Sequence, residues 1–380
     1  MEQIEKVISL LKEAHEKVIL RKDIKVYGYQ FNYQYDFIGG LSKYLFSNLE
    51  IKEYLAETVE NGGFGNRPGN IKESTEFIVV HDTASTAETA GAIAHSNYVH
   101  NGGGGTSWHY SSGSDALVHQ IPDNEVAYHA GDGLAVPYEL HWTGIKAEYD
   151  NPIITIKNGY YYINGKKSLI KIPVITIVKD GNDVYLESDG IRQGRKYKKS
   201  DLDMLKSLEL TDSHINDYGL HTVIKDGYYY IGNTYYNPSY NKIANKGGNL
   251  RSIGIEMMIN KGSNLAFTYH NTAKLIAKLL VENNLDITRV KAHHFFSGKN
   301  CPCTLRENDL WNYFMKMVKI EYDMLKASNN IDIKFVCDSE YVDENGLIKE
   351  LPLDVKSISY KVIVSDKNQT KELEFVSIIN

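Results

Sequence analysis

Apolar positions along this chain follow two periods, and the switches between them outline its elements. Over residues 2–20, Ile4, Val7, Ile8, Leu11, Ala14, Val18 and Ile19 recur at helical spacing with Glu and Lys between them, which predicts an amphipathic helix. A second helix is predicted over 41–55, followed by a Gly-rich linker or loop at 61–69. The run Phe77-Ile-Val-Val80 predicts a buried strand over 76–82 that delivers His81 at its end. Ser85-Thr-Ala-Glu88 is a capping-box pattern, so a helix is predicted over 86–99 with Ser85 as its cap and Ala87, Ala90, Ala94 and Tyr98 on one face. The glycines at 102–105 predict a mobile loop, and Ser107 to Pro122 a hairpin turning at Gly113 to Asp115.

Further on, Ile253-Gly-Ile255 predicts a central strand carrying Glu256. A helix follows over 268–283, with Ala273, Ile276, Leu279 and Leu280 along one side. A short strand is predicted at 287–290, and Thr304-Leu-Arg-Glu307 predicts a capped helix running to about 325. Residues 331–380 hold three strand-like runs, which predict a small β module. Between Gly133 and Arg251 the pattern is mostly β. Ile153 to Ile163 resembles Val223 to Ile231, each with Asn-Gly or Asp-Gly between strand-like runs, the strongest short hairpin signal. A third hairpin is predicted around Asp180-Gly181, and a short helix over 200–207.

Composition narrows the function. With 380 residues and 42% hydrophobic content the chain builds a sizeable core, in two or three domains by length. A net charge of -6 argues against nucleic-acid binding, which needs a basic surface. No apolar stretch is long enough for a transmembrane segment, and the N-terminus lacks the pattern of a signal peptide. Three cysteines, Cys301, Cys303 and Cys337, make no disulfide framework. The 28 tyrosines suit polymer contact, though biased codon usage gives the same excess.

Candidate chemistry concentrates at Lys291-Ala-His-His-Phe-Phe-Ser-Gly-Lys-Asn-Cys-Pro302. His293 stands eight positions before Cys301, and imidazole nitrogen and thiolate sulfur are ligands that zinc prefers. A catalytic zinc takes three protein ligands and keeps one position open, and His81 is the best third donor. His294 with Cys303 is the alternative pair. A carboxylate at the end of a buried strand is costly without a task or partner, which draws attention to Glu256.

His81 after a strand, Ser107-Trp-His-Tyr110, Tyr128-His-Ala-Gly131, Ser252-Ile-Gly-Ile-Glu256 and His293…Lys299-Asn-Cys-Pro302 occur in that order. The ordered set resembles the zinc-dependent N-acetylmuramoyl-L-alanine amidase family, which includes peptidoglycan recognition proteins and phage endolysins. The resemblance spans about 76–133 and 249–320. It implies an α/β fold with a mixed central β-sheet flanked by helices. The chain departs from the family between Gly133 and Arg251, where relatives use a short loop and this chain has a large mostly β insertion, and its C-terminal strand-like runs add a small β module. The resemblance implies Zn2+ on His81, His293 and Cys301, and prefers His293 with Cys301 over the alternative pair by spacing. Catalysis would fall to Glu256 as general base and Lys299 as charge stabiliser, with Trp108 and His129 on the substrate side. Some relatives carry a tyrosine where this chain has Trp108, which has no hydroxyl.

The implied substrate is peptidoglycan, with the chain acting on the bacterial wall after secretion or lysis. The expected organisation is an N-terminal helical extension (1–70), an amidase domain (71–325) interrupted by the insertion (134–248), and the C-terminal module (331–380). Two other functions fit the sequence: a non-catalytic peptidoglycan-binding protein, and a zinc peptidase acting within the stem peptide.

Overall fold

A computed structural model describes residues 3–15, 21–26, 29–34, 49–131, 140–148, 152, 154–171, 175–188, 191–198, 222–232, 247–297, 299, 301–343, 346, 348–349 and 351–379. The predicted helix at 200–207 lies outside them. The chain forms two compact units: residues 1–129, 249–290 and 304–380 make one, and residues 130–248 and 291–303 the other.

The framework is a six-stranded mixed sheet. Its strands lie in the order Val290–Ala292, Phe77–Asp82, Ser252–Met257, Tyr110–Ser112, Leu117–His119 and Lys52–Glu53. The Ser252–Met257 strand runs parallel to both neighbours, while Tyr110–Ser112 and Leu117–His119 form the expected antiparallel hairpin. All six residues of Phe77–Asp82 are buried, as a parallel central strand requires. Successive side chains on a strand point to opposite faces. On one face Ile78, Val80, Ile253, Ile255 and Met257 pack against the helices Leu265–Glu282 and Trp311–Ala327 in one apolar core. The other face therefore receives His81, Ser252, Gly254 and Glu256.

Other expectations are corrected. Within 41–55, the described residues from 49 on are not helical; Lys52 and Glu53 are an edge strand on the sheet. Arg21–Val26 and Tyr29–Gln34 pair as antiparallel strands, and among the described residues of the N-terminal stretch the helix is Gln3–His15. The Gly-rich 61–69 segment is not a linker. Arg67 grips Glu125 through two bonds of 2.8 and 2.7 Å, and Asn66 donates to the Val99 carbonyl. The second helix is Ala92–His100, not 86–99, and Ser85 does not cap it. Asp115, brought in by the hairpin, accepts from the Ala92 amide at 3.0 Å. Tyr98 is consequently exposed, while Ala92, Ser96 and Val99 are buried. The four glycines at 102–105 all have positive φ, a backbone region that glycine enters at little steric cost. Residues 287–289 are a 3-10 turn and the strand begins at Val290.

The helix expected from 304 to 325 is broken. Cys303–Glu307 ends at a turn where Asp309 has φ 57°, and Trp311–Ala327 starts afresh. The three C-terminal strands form one antiparallel sheet. Ile4, Val7, Leu10 and Leu11 of the first helix share a core with Met324, Val362 and Val364, so the first helix covers the C-terminal sheet. No helix among the described residues is long and apolar enough to cross a membrane.

The insertion contains the predicted hairpins as Ile154–Lys157 with Tyr160–Ile163, Thr222–Lys225 with Tyr228–Gly232, and Ile175–Asp180 with Asp183–Ser188. Each gains a third strand, Lys166–Lys171, Leu140–Lys146 and Ile191–Lys198 respectively, none of which the sequence pattern signalled. Asn158-Gly159 and Asp226-Gly227 all carry positive φ, the two-residue turn that matches strand twist. In both Tyr-rich hairpins the middle tyrosine, Tyr161 or Tyr229, is buried and its neighbours are half-buried.

Ile4 is fully buried in the terminal core. Ile4→Ala is expected to lower stability by about 2–5 kcal/mol, measured by urea denaturation. An unchanged transition would show that the first helix does not support the C-terminal sheet.

Candidate metal centre and its surroundings

His81 and Glu256 are direct register partners on neighbouring parallel strands. Their side chains rise from the same face, and a Glu256 carboxylate oxygen lies 3.7 Å from His81 Nδ1. His293 and Cys301 bracket a short loop whose ends are drawn together when the His294 amide donates to the Cys301 carbonyl at 3.1 Å. Among the described residues, one group of His, Cys, Asp and Glu is able to hold a metal ion: His81, His293 and Cys301. All three are buried, with one potential ligand atom from each lying within 4.8 Å of the others.

The donor set, two imidazoles and a thiol, is of the kind that zinc prefers. His294 and Cys303, the alternative pair, are buried and belong to short helices.

The other expected residues are placed as follows. Lys299 is half-buried and stands in the chain between His293 and Cys301; its carbonyl accepts from the Cys301 amide at 2.7 Å and from His294 Nδ1 at 3.2 Å. Trp108 is buried with Ala56, Val99, Ile121 and Ala127, and its indole donates to Ser111 Oγ at 2.9 Å. His129 sits against His81, ring nitrogen to ring nitrogen at 2.9 Å. Burial, with the Lys72 charge nearby, pushes its pKa down to about 3 and keeps it neutral.

Several supporting groups carried no sequence signal strong enough to single them out. Asp82 points to the opposite face from His81 and accepts from both the amide and the hydroxyl of Thr304, at 2.7 and 2.6 Å. Thr304 is thus held by a distant aspartate, not by a capping box with Glu307. Lys72 is buried and donates to the Ser252 carbonyl at 2.9 Å. His109, also buried, accepts from the Gly254 amide at Nδ1 and donates to the Glu125 carbonyl from Nε2, both at 3.0 Å. These bonds fix its tautomer, and burial keeps it neutral well below the usual histidine range.

Comparison with known proteins bears on this face of the sheet. Residues 72–166 match the profile of the family described as N-acetylmuramoyl-L-alanine amidase. That segment includes His81, Trp108 and His129 and ends inside the insertion; Glu256, His293 and Cys301 lie beyond it. The amidase XlyA of Bacillus subtilis is 42% identical over 71 residues, 19% of this chain and 24% of that protein. The amidase CwlH of the same organism is 38% identical over 68 residues, 18% of this chain and 27% of that protein. The chain therefore matches about a quarter of the length of these curated relatives. The solved catalytic domain of XlyA aligns with 71% of this chain and 99% of its own at 21% identity and a TM-score of 0.39. The resemblance to the amidase family read from the ordered motifs is borne out by these matches.

Two predictions follow from the supporting groups. Asp82→Ala leaves two donors of Thr304 without their acceptor and is expected to cost about 1–3 kcal/mol, measured as a lower denaturation midpoint. Burial pushes Lys72 down to about 8 from 10.5, so between those values the unfolded chain binds more protons and stability rises with pH. Lys72→Met is expected to flatten that rise, seen by comparing denaturation midpoints of the two proteins at pH 8, 9 and 10. Equal slopes would contradict the burial of this ammonium.

Proposed function

We propose that this chain is a peptidoglycan hydrolase that cleaves the amide between N-acetylmuramic acid and L-alanine at a zinc ion held by His81, His293 and Cys301. The observation that carries the reading is the convergence of three buried donors beside a carboxylate that lies 3.7 Å from one of them, in a chain whose residues 72–166 match an amidase family.

An amide resists hydrolysis because its carbonyl is a poor electrophile and water a poor nucleophile. Zinc bound there would supply both remedies, polarising the carbonyl and lowering the pKa of water toward about 7. Glu256, half-buried and fixed by its strand, would take the proton from the attacking water and return it to the leaving amine of L-alanine. The Lys299 ammonium would offset the negative charge that develops on the carbonyl oxygen. His293 and Cys301, tied by their loop, would keep the metal aligned with the His81 strand. The insertion would add contact to the wall polymer through its outward tyrosines, Tyr160, Tyr162, Tyr228 and Tyr230, and the exposed Trp142. Deleting 136–246 is expected to weaken binding to cell walls, and unchanged binding would remove that role.

Mass analysis of digested wall tests the reading directly. Free stem peptides with intact L-Ala amino termini are the expected products; internal peptide cuts would mean a peptidase, and no products a binding protein. Cys301→Ser is expected to lose both bound zinc and activity. Glu256→Gln is expected to keep zinc and lose about 10²- to 10⁴-fold in kcat. A Cys301→Ser protein with full activity would end the zinc assignment.

A further inference from the structure

We propose that His129 is a positioning residue that fixes the ring of His81, and that Ser252 and Gly254 form its seat. The proposal rests on the reading that His81 is a metal ligand, and it departs from the substrate contact that the family resemblance implies for His129.

His81 Nε2 lies 2.9 Å from His129 Nδ1, with the rings nearly perpendicular at 78°. His129 Nε2 lies 3.4 Å from Ser252 Oγ, and the His129 amide donates to Asn249 Oδ1 at 2.9 Å. Both ring nitrogens are therefore engaged within the protein. The strand Ser252–Met257 presents Ser252, Gly254 and Glu256 to the same face, and each addresses this pair of histidines. Ser252 meets the far nitrogen of His129, and Glu256 approaches His81 Nδ1 at 3.7 Å. Gly254 lies under the His129 ring. A Cβ there would stand 2.7 Å from Cε1, Cγ and Nδ1 of that ring, so any side chain at this position would displace His129. His109, bonded to the Gly254 amide at 3.0 Å, holds that stretch of backbone in place.

Proton positions agree with this arrangement. A His81 that offers Nδ1 to a metal carries its proton on Nε2 and donates it to His129 Nδ1. His129 must then accept at Nδ1 and carry its own proton on Nε2, where the Ser252 hydroxyl stands. A histidine ligand whose second nitrogen donates to a fixed acceptor is held in one tautomer and one orientation, and loss of that acceptor typically weakens metal binding 10- to 100-fold. Here the acceptor is a second imidazole in place of the commoner carboxylate or carbonyl.

Zinc affinity, measured on the full chain by chelator competition, tests the proposal together with thermal melting of the metal-free proteins. His129→Phe is expected to bind zinc about 10- to 100-fold more weakly, with the metal-free melting temperature close to that of the native chain. His129→Gln, whose amide oxygen is able to accept from His81, is expected to recover most of the affinity. Gly254→Ala, which crowds the ring, is expected to weaken zinc without touching a ligand. If His129→Phe does not fold, the comparison of His129→Leu with His129→Gln takes its place. Native-like zinc affinity in either variant lacking the acceptor would overturn the proposal. A native chain that binds no zinc would instead overturn the metal reading beneath it.

Discussion

Two buried parallel strands, paired so that His81 stands directly opposite Glu256, are the constraint on which the rest of the molecule depends. Side chains alternate across a strand with a period of two, so this register decides which residues meet. A slip of one position would turn His81 and Glu256 into the apolar core and bring Val80 and Ile255 out of it. The helices packed on Ile78, Val80, Ile253, Ile255 and Met257 make such a slip prohibitively costly, because every one of those side chains would leave its core. The hydrophobic face thus sets the geometry of the polar one.

The polar face is expensive in its own right. Histidines and a lysine taken out of water must find partners inside the protein, and here they find one another or the backbone. His81 meets His129, His109 bridges the Gly254 amide and the Glu125 carbonyl, and Lys72 meets the Ser252 carbonyl. Asp82 faces the other way and ties Thr304 to the same strand. Consecutive residues of one strand therefore serve two tasks on opposite faces: His81 carries the candidate chemistry, and Asp82 anchors the helix that follows Cys301.

The remainder of the chain elaborates this framework by local rules. Two hairpins of the insertion share one device, an Asn-Gly or Asp-Gly turn with a buried middle tyrosine, and each of its three described hairpins gains one further strand. The two ends of the chain build a separate small core in which the first helix covers the C-terminal sheet.

The sequence by itself determined the elements with strong periodicity and the identity of the candidate ligands. The apolar run before His81, the stripe on the helix Leu265–Glu282 and the Asn-Gly turns are local signals, and the structure carries them where the pattern placed them. His81, His293 and Cys301 were legible because imidazole and thiolate are rare donors and their order along the chain is distinctive. Only the tertiary structure decided how those donors are supported. Asp115 displaced Ser85 as the partner of the second helix, and Asp82 displaced the capping box at Thr304. Lys72 and His109 became buried partners of a strand far along the chain. Such partners come from residues separated by more than twenty positions, and often by more than a hundred. Chain spacing carries no record of contacts that the register of a sheet creates.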